Sequence, residues 1–199
     1  MDDLMILIPA AGSSGRMGGR DKLLESVAGE ALLRRQARRA AASGAAVLIA
    51  LPRADGAARA AVLDGVPGLS LVRVIGDEGM AAALRAGARA GEAAQARALM
   101  VLLPDMPDIE TGDLRALWRA FQQAPDTCLR ATAADGAPGH PVLFPARLFE
   151  QLAGLSGDLG GRTILAREPV RTLPLAGMRA VTDLDTMADW AAWRARTGL

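Results

Sequence analysis

Residues Pro9 to Lys22 read P-A-A-G-S-S-G-R-M-G-G-R-D-K and follow directly on the apolar run Leu4 to Ile8. Gly12, Gly15, Gly18 and Gly19 let the backbone take positive φ and approach a ligand closely, so successive N–H groups can converge on anionic oxygens. Arg16 and Lys22 add full positive charges. This is the composition of a phosphate cradle, with a solvated strand-to-helix turn as the plain alternative. Lys22 is the only lysine among 23 basic residues, and a compact ammonium kept at this one place points to a need for it. Neither of the commonest phosphate motifs fits. A P-loop requires a hydroxyl residue after its lysine, and here Leu23 follows. The glycine spacing also differs from that of the dinucleotide fingerprint.

Four other groups of residues could carry chemistry. Asp105, in Pro104-Asp105-Met106-Pro107, ends an apolar run and is pinned by its prolines; as a hard oxygen donor it suits Mg²⁺, which takes one or two carboxylates plus substrate phosphates. A capping or surface aspartate is the alternative. In Val181 to Thr186, alternation puts Asp183 and Asp185 on one face, where two carboxylates repel unless a cation or donor lies between them. Asp185 could instead cap the last helix. Gly139-His140-Pro141-Val142-Leu143-Phe144 places the lone histidine in an apolar run, as a turn residue or a substrate contact. Gly157-Asp158-Leu159-Gly160-Gly161-Arg162 is a second glycine loop opening a helix, a place where an anion could sit. The scattered methionines read as core filling. No Ser/His/Asp or Cys/His nucleophile is legible, since neither His140 nor Cys128 has a suitable motif around it.

These residues need a scaffold, and the chain alternates short apolar runs with Ala/Arg/Leu-rich helical patterns, the signature of βαβ units and a largely parallel sheet. Strands are expected at 4–8, 45–51, 69–75, 99–103, 127–131, 140–144 and 170–175. Helices are expected at 30–43, 55–63, 79–90, 111–122 with Thr111 as cap, 147–153, 161–167 and 186–196, with a turn at 136–139. The run at 99–103 reads as central because both its faces are apolar. The 199 residues suit one domain that buries about 70% of its unfolded surface. A net charge of +1 argues against a nucleic-acid or polybasic membrane partner, and with no Tyr, three Phe and three Trp there is no aromatic platform for bases. One cysteine and one histidine exclude a disulfide within the chain and a Cys/His metal cluster and fit a reducing, cytoplasmic setting. The apolar run at 4–8 is too short for a membrane span.

The run Ala10-Ala11-Gly12-Ser13-Ser14-Gly15-Arg16-Met17-Gly18 with Lys22 resembles the signature shared by nucleotidyltransferases that activate sugars, isoprenoid precursors and molybdopterin. Together with Gly79-Met80 and Leu84 in the following helix, the Asp105 segment, the Gly139 to Phe144 and Gly157 to Arg162 motifs and Asp183-Leu184-Asp185-Thr186, it resembles the molybdenum cofactor cytidylyltransferases over almost the whole chain. The guanylyltransferases of that pathway typically carry glycine where this chain has Ala11. Three departures from the family pattern stand out: Ala81 and Ala82 stand for serines, Met187 and Ala188 for Pro-Glu, and Pro9 is reminiscent of the isoprenoid cytidylyltransferase.

The resemblance implies a three-layer α/β/α, Rossmann-like (GT-A-like) fold with a mostly parallel sheet, residues 1–110 binding the nucleotide and 111–199 the acceptor. It implies transfer of CMP from CTP to molybdopterin with release of pyrophosphate. Another base or acceptor, such as guanylyl transfer or a sugar or isoprenoid phosphate, or a non-catalytic nucleotide-binding role in the cofactor pathway, are the alternatives. Arg16, Lys22 and Asp105 would be catalytic, and Ala10 to Gly18, Lys22, Gly79, Met80 and Leu84 would hold the nucleotide. His140, Pro141, Asp158, Arg162 and Asp183 would face the acceptor. Asp105 and Asp185, with Asp158 as the rival, would hold Mg²⁺. A molybdoenzyme or its chaperone would be a further partner, with no nucleic acid and no membrane.

Overall fold

The structure, a computed structural model, describes residues 1–12, 17–75, 78–157 and 160–199. Its centre is a seven-stranded sheet. Strand β1 is Leu4–Pro9; a two-residue hairpin, β2 Ser26–Val27 and β3 Glu30–Ala31, leads into helix α1, Leu32–Ala41. Then come β4 Ala46–Pro52, α2 Ala57–Ala61, β5 Leu69–Val74, α3 Gly79–Ala93, β6 Ala98–Val101 and α4 Thr111–Gln122. The second half adds β7 Cys128–Thr132, β8 Pro138–Pro145, α5 Phe149–Ala153, α6 Arg162–Leu165, β9 Val170–Pro174 and α7 Met187–Thr197.

The strand order is β5-β4-β1-β6-β8-β7-β9. Neighbours are parallel except β8, which runs antiparallel to both β6 and β7. Alternation along β1 explains the three layers. Leu4, Ile6 and Ile8 pack on one face with Leu33 and Ala37 of α1 and Leu117 and Phe121 of α4, whereas Met5 and Leu7 pack on the other with Ala83 and Leu84 of α3 and Phe149 of α5. With both faces covered, β1 and β6 need apolar residues at every position, and this is why they read as unbroken runs. Helix α3 lies so close that a Cβ on Gly87 would come within 2.9 Å of Leu7 Cδ2.

Because β1 and β6 are parallel neighbours, with Met5 opposite Leu99, their carboxyl ends open at one edge of the sheet. The glycine loop leaves one and the Asp105 segment leaves the other. That edge is where ligands bind in an open α/β sheet.

Three local expectations are corrected. The first helix begins at Leu32 rather than Glu30, because Glu30 and Ala31 pair with Val27 and Ser26. The cap of α4 is Glu110, in a reciprocal capping box with Asp113, while the Thr111 hydroxyl donates to the Arg39 carbonyl 2.9 Å away. Residues 138 and 139 belong to β8 and not to a turn. Gly139 is required there by packing, since a Cβ would lie 1.8 Å from the Ala180 carbonyl oxygen. Among the described residues no helix is long and apolar enough to cross a membrane.

Candidate active site

Asp105 is held by main-chain contacts around it. The Gln36 amide and Arg39 Nη1, both from α1, donate to the carbonyls of Met106 and of Pro107 and Ile109, the latter two at 2.7 Å each. From the far end of the chain, the Leu184 N–H donates to the Asp105 carbonyl at 3.0 Å, which brings Asp185 alongside. Leu184 is itself buried in a small cluster with Met17, Val27, Leu32, Trp190 and Trp193. One apolar contact set thus joins the end of the glycine loop, the hairpin, α1 and α7. The Thr186 hydroxyl caps α7 by accepting from the Asp189 N–H, so Asp185 is not that helix's cap.

The two carboxylates meet at Lys22. Its Nζ donates to Asp105 Oδ2 at 2.6 Å and to Asp185 Oδ1 at 2.5 Å. Burial pulls the ammonium down, but Asp105 and Asp185 together outweigh it and leave its pKa above the ordinary value. Asp183 belongs to the same field: burial, then the charges of Asp185 and Asp105, raise its carboxyl above the usual range despite Lys22. Three carboxylates around one ammonium leave an excess of negative charge. Asp105 Oδ1 is buried and has no hydrogen-bond partner among the described residues. Among those residues no three His, Cys, Asp or Glu groups could hold a metal between them. The donor set therefore fits a hard cation that takes two carboxylates and completes its shell with phosphate and water.

The glycine loop is braced by a residue that no sequence motif marks. Arg59, in the middle of α2 and only 6% exposed, donates through Nη1 to the carbonyls of Ala10 at 2.7 Å and Gly12 at 2.9 Å. Its Nε and Nη2 meet Asp21 Oδ2 at 2.7 Å and Oδ1 at 3.1 Å. The guanidinium thereby ties the start of the loop to the residue before Lys22. An arginine among alanines on a short helix reads as solvent-facing by pattern; only the tertiary structure shows its donors spent on the loop.

Two cavities open at this edge. The first, about 310 Å³, is lined by Ala11, Gly12, Lys22, Gly79, Met80, Asp105, Asp183 and Asp185 among others. The second, about 510 Å³, is lined by Met80, Leu84, Arg130, His140, Phe144 and Arg162 among others. Met80 belongs to both. The structure brings Lys22, Asp105 and Asp185 together, and places Asp183 with them rather than with His140. Leu84 lines the second cavity rather than the first. Ala10 and Met17 are buried with their side chains in the core, and Pro141 is buried beside His140 without lining either cavity. Gly18 has a φ of +60°, the left-handed conformation for which glycine is suited. Ser13, Ser14, Gly15, Arg16 and Asp158 lie outside the described residues.

His140 sits at the wall of the second cavity. Burial, then the nearby Arg130 charge, push its imidazole down to about 4, against a bond to the Val101 main chain and the Asp105 charge. At neutral pH the ring is uncharged. Its Nδ1 is buried with no partner among the described residues. Cys128 is buried and its thiol is pushed up to about 11, mainly by burial, so it is no nucleophile.

No curated protein sequence matches the chain at a significant level. Among solved structures, Rv0371c from Mycobacterium tuberculosis H37Rv is 29% identical with a TM-score of 0.77, covering 96% of this chain and 97% of its own. The same protein has been crystallised in complex with manganese, at 29% identity, a TM-score of 0.74 and 96% coverage of both chains. CMP:2-keto-3-deoxy-manno-octonic acid synthetase complexed with CTP shares the fold, with a TM-score of 0.75 over 98% of both chains at 16% identity. The MobA-like NTP transferase domain matches residues 6–172, most of the chain, and the chain belongs to this family of nucleotidyltransferases.

Proposed function

We propose that the chain transfers a cytidylyl group from CTP to molybdopterin or the molybdenum cofactor and releases pyrophosphate. The observation that carries the reading is the Lys22, Asp105 and Asp185 cluster beside the glycine loop, with Asp105 Oδ1 buried and unpartnered among the described residues. Residues 1–110 would hold the nucleotide, its triphosphate on the glycine loop, Arg16 and Lys22, and residues 111–199 would hold the acceptor. Ala11, at the wall of the first cavity, leaves less room than a glycine and favours a pyrimidine.

Asp105 and Asp185 would hold a divalent cation, Mg²⁺ in this reading; manganese is bound in the Rv0371c crystal structure. When bound, such a cation supplies neutralisation of charge on the transferred phosphoryl and leaving groups. The protein's part is positioning and charge. The acceptor's terminal phosphate attacks the α-phosphate in line; it is already ionised at neutral pH, so no general base is needed. His140, pushed down to about 4, agrees with that, since so weak a base takes up little of a proton at neutral pH.

Pyrophosphate release measured with CTP, GTP, ATP and UTP, each with molybdopterin, tests the assignment. CTP-dependent release requiring molybdopterin is the expected result. A preference for GTP would overturn the base, and turnover with a sugar or isoprenoid phosphate alone would overturn the acceptor. A molybdoenzyme or its chaperone would then receive the product in the cytoplasm.

A further inference from the structure

The second cavity contains an electrostatic imbalance. Its charged lining among the described residues consists of two guanidiniums, Arg130 on β7 and Arg162 at the start of α6. Neither makes an ion pair with a carboxylate of the described residues. Arg130 is anchored by carbonyls, its Nε donating to Gly139 at 2.9 Å and its Nη2 more loosely to Pro138 at 3.4 Å. The Gly139-His140-Pro141 motif therefore orients a cation as well as a histidine. Burial and then the Arg162 charge pull the Arg130 guanidinium below its ordinary value. Arg130 is half-buried and Arg162 exposed, so two like charges face the mouth of one cavity, and an anion between them would relieve their repulsion. The planar fork of arginine matches an oxyanion in paired hydrogen bonds.

His140 adds a second requirement. A neutral imidazole keeps one ring nitrogen as an acceptor, and the buried Nδ1, without a partner among the described residues, is the one left to meet a ligand. Apart from Thr172, the remaining side chains of the described wall, Leu84, Val142 and Phe144 among them, are apolar.

We propose that Arg130 and Arg162 form an oxyanion subsite in this cavity and that His140 Nδ1 accepts an N–H or O–H from the same ligand. The acceptor is then an anion, phosphate or carboxylate, that also carries a hydrogen-bond donor on a body able to lie against apolar walls. The inference rests on the reading that this cavity holds the acceptor. It adds Arg130 as a specificity-determining residue and rejects uncharged alcohols as acceptors.

The lone histidine makes the cavity observable by itself. The His140 imidazole NMR signals would be followed while inorganic phosphate, and separately acetate, is added to protein whose nucleotide site is saturated with Mg²⁺ and a non-hydrolysable CTP analogue. A saturable shift with either anion, its affinity lowered at least tenfold in both Arg130→Gln and Arg162→Gln with CTP affinity unchanged, supports the subsite. The tighter anion names the oxyanion. Arg130→Lys keeps the charge without the fork and should fall between Arg130→Gln and the parent. No saturable shift with either anion, or equal affinity in folded variants and parent, overturns the proposal. A protein that binds the anion through both arginines yet does not turn over molybdopterin would retain the subsite and lose only the molybdopterin assignment.

Discussion

Lys22 Nζ lies 2.6 Å from Asp105 Oδ2 and 2.5 Å from Asp185 Oδ1, so without ligands an ammonium bridges the two carboxylates proposed for a divalent cation. The two cations would compete for one place. Lys22→Met should therefore raise the affinity of the nucleotide-free protein for Mn²⁺, by about tenfold, or about 1.4 kcal/mol. The same variant should bind CTP more weakly by about 1.5–3 kcal/mol, the scale for hydrogen bonds to charged groups. Free Mn²⁺ counted by electron paramagnetic resonance measures the first effect and calorimetry the second. An unchanged or lower Mn²⁺ affinity in Lys22→Met would show that the lysine does not occupy the metal's place.

Asp105→Asn keeps the side chain's shape and one oxygen but removes the charge. Folding should survive, because the tethers from Leu184, Gln36 and Arg39 fall on main-chain carbonyls of this segment and Lys22 keeps Asp185. Turnover should fall by orders of magnitude, since charge stabilisation of the transferred phosphoryl group is lost. Pyrophosphate release at saturating Mg²⁺ reads this directly. Activity within a few-fold of the parent in a folded variant would move the metal elsewhere, with Asp158 and Asp185 the next positions to change.

Arg59→Met removes a buried guanidinium on which the carbonyls of Ala10 and Gly12 and the carboxylate of Asp21 all depend. Taking this donor from the two carbonyls and the arginine from Asp21, which keeps the Leu23 N–H, should cost about 3 kcal/mol of stability, toward the low end for broken buried pairs because Asp21 is partly exposed. CTP binding should weaken as well, because the loop loses its brace. Arg59→Lys should not rescue it, since an ammonium cannot reproduce the fork. Urea unfolding and a CTP titration test both effects together. Parental stability with parental CTP affinity would mean the loop holds its shape unaided.

The sheet was legible because its central strands are buried on both faces and so appear as apolar runs. Asp105 was legible for the same reason, at the end of such a run between prolines. What could not be read were contacts between distant residues: Lys22 meets Asp105 and Asp185 across separations of 83 and 163 residues, and no local pattern encodes that meeting. The hairpin at Ser26–Val27 and Glu30–Ala31 was missed because two residues per strand give no alternation to detect. Leu84 fell to the opposite cavity from the one expected because α3 passes both, with Met80 shared, and only packing decides which way each position faces; Asp183 did so because the Leu184 N–H ties its segment to the Asp105 carbonyl.

The pH dependence of stability should carry the mark of His140. In the folded protein burial and Arg130 disfavour the imidazolium more than Asp105 and the Val101 bond favour it, so its pKa falls from 6.5 to about 4. Between those values the unfolded chain binds a proton that the folded protein does not. Stability from this group is therefore constant above pH 6.5, falls as pH drops through the window, and stops changing below about pH 4, where both states are protonated. The full loss is on the order of 3 kcal/mol. Because the paired carboxylates also lose stability in acid, the readout is a difference: urea unfolding at pH 7 and pH 4.5 for the parent and for His140→Gln, which cannot titrate. The variant should show the shallower decline, and an imidazole NMR titration of the parent should place the histidine's midpoint near 4. A midpoint near 6.5 with equal declines in the two proteins would mean that His140 is as well hydrated folded as unfolded, and would remove the buried acceptor from the wall of the second cavity.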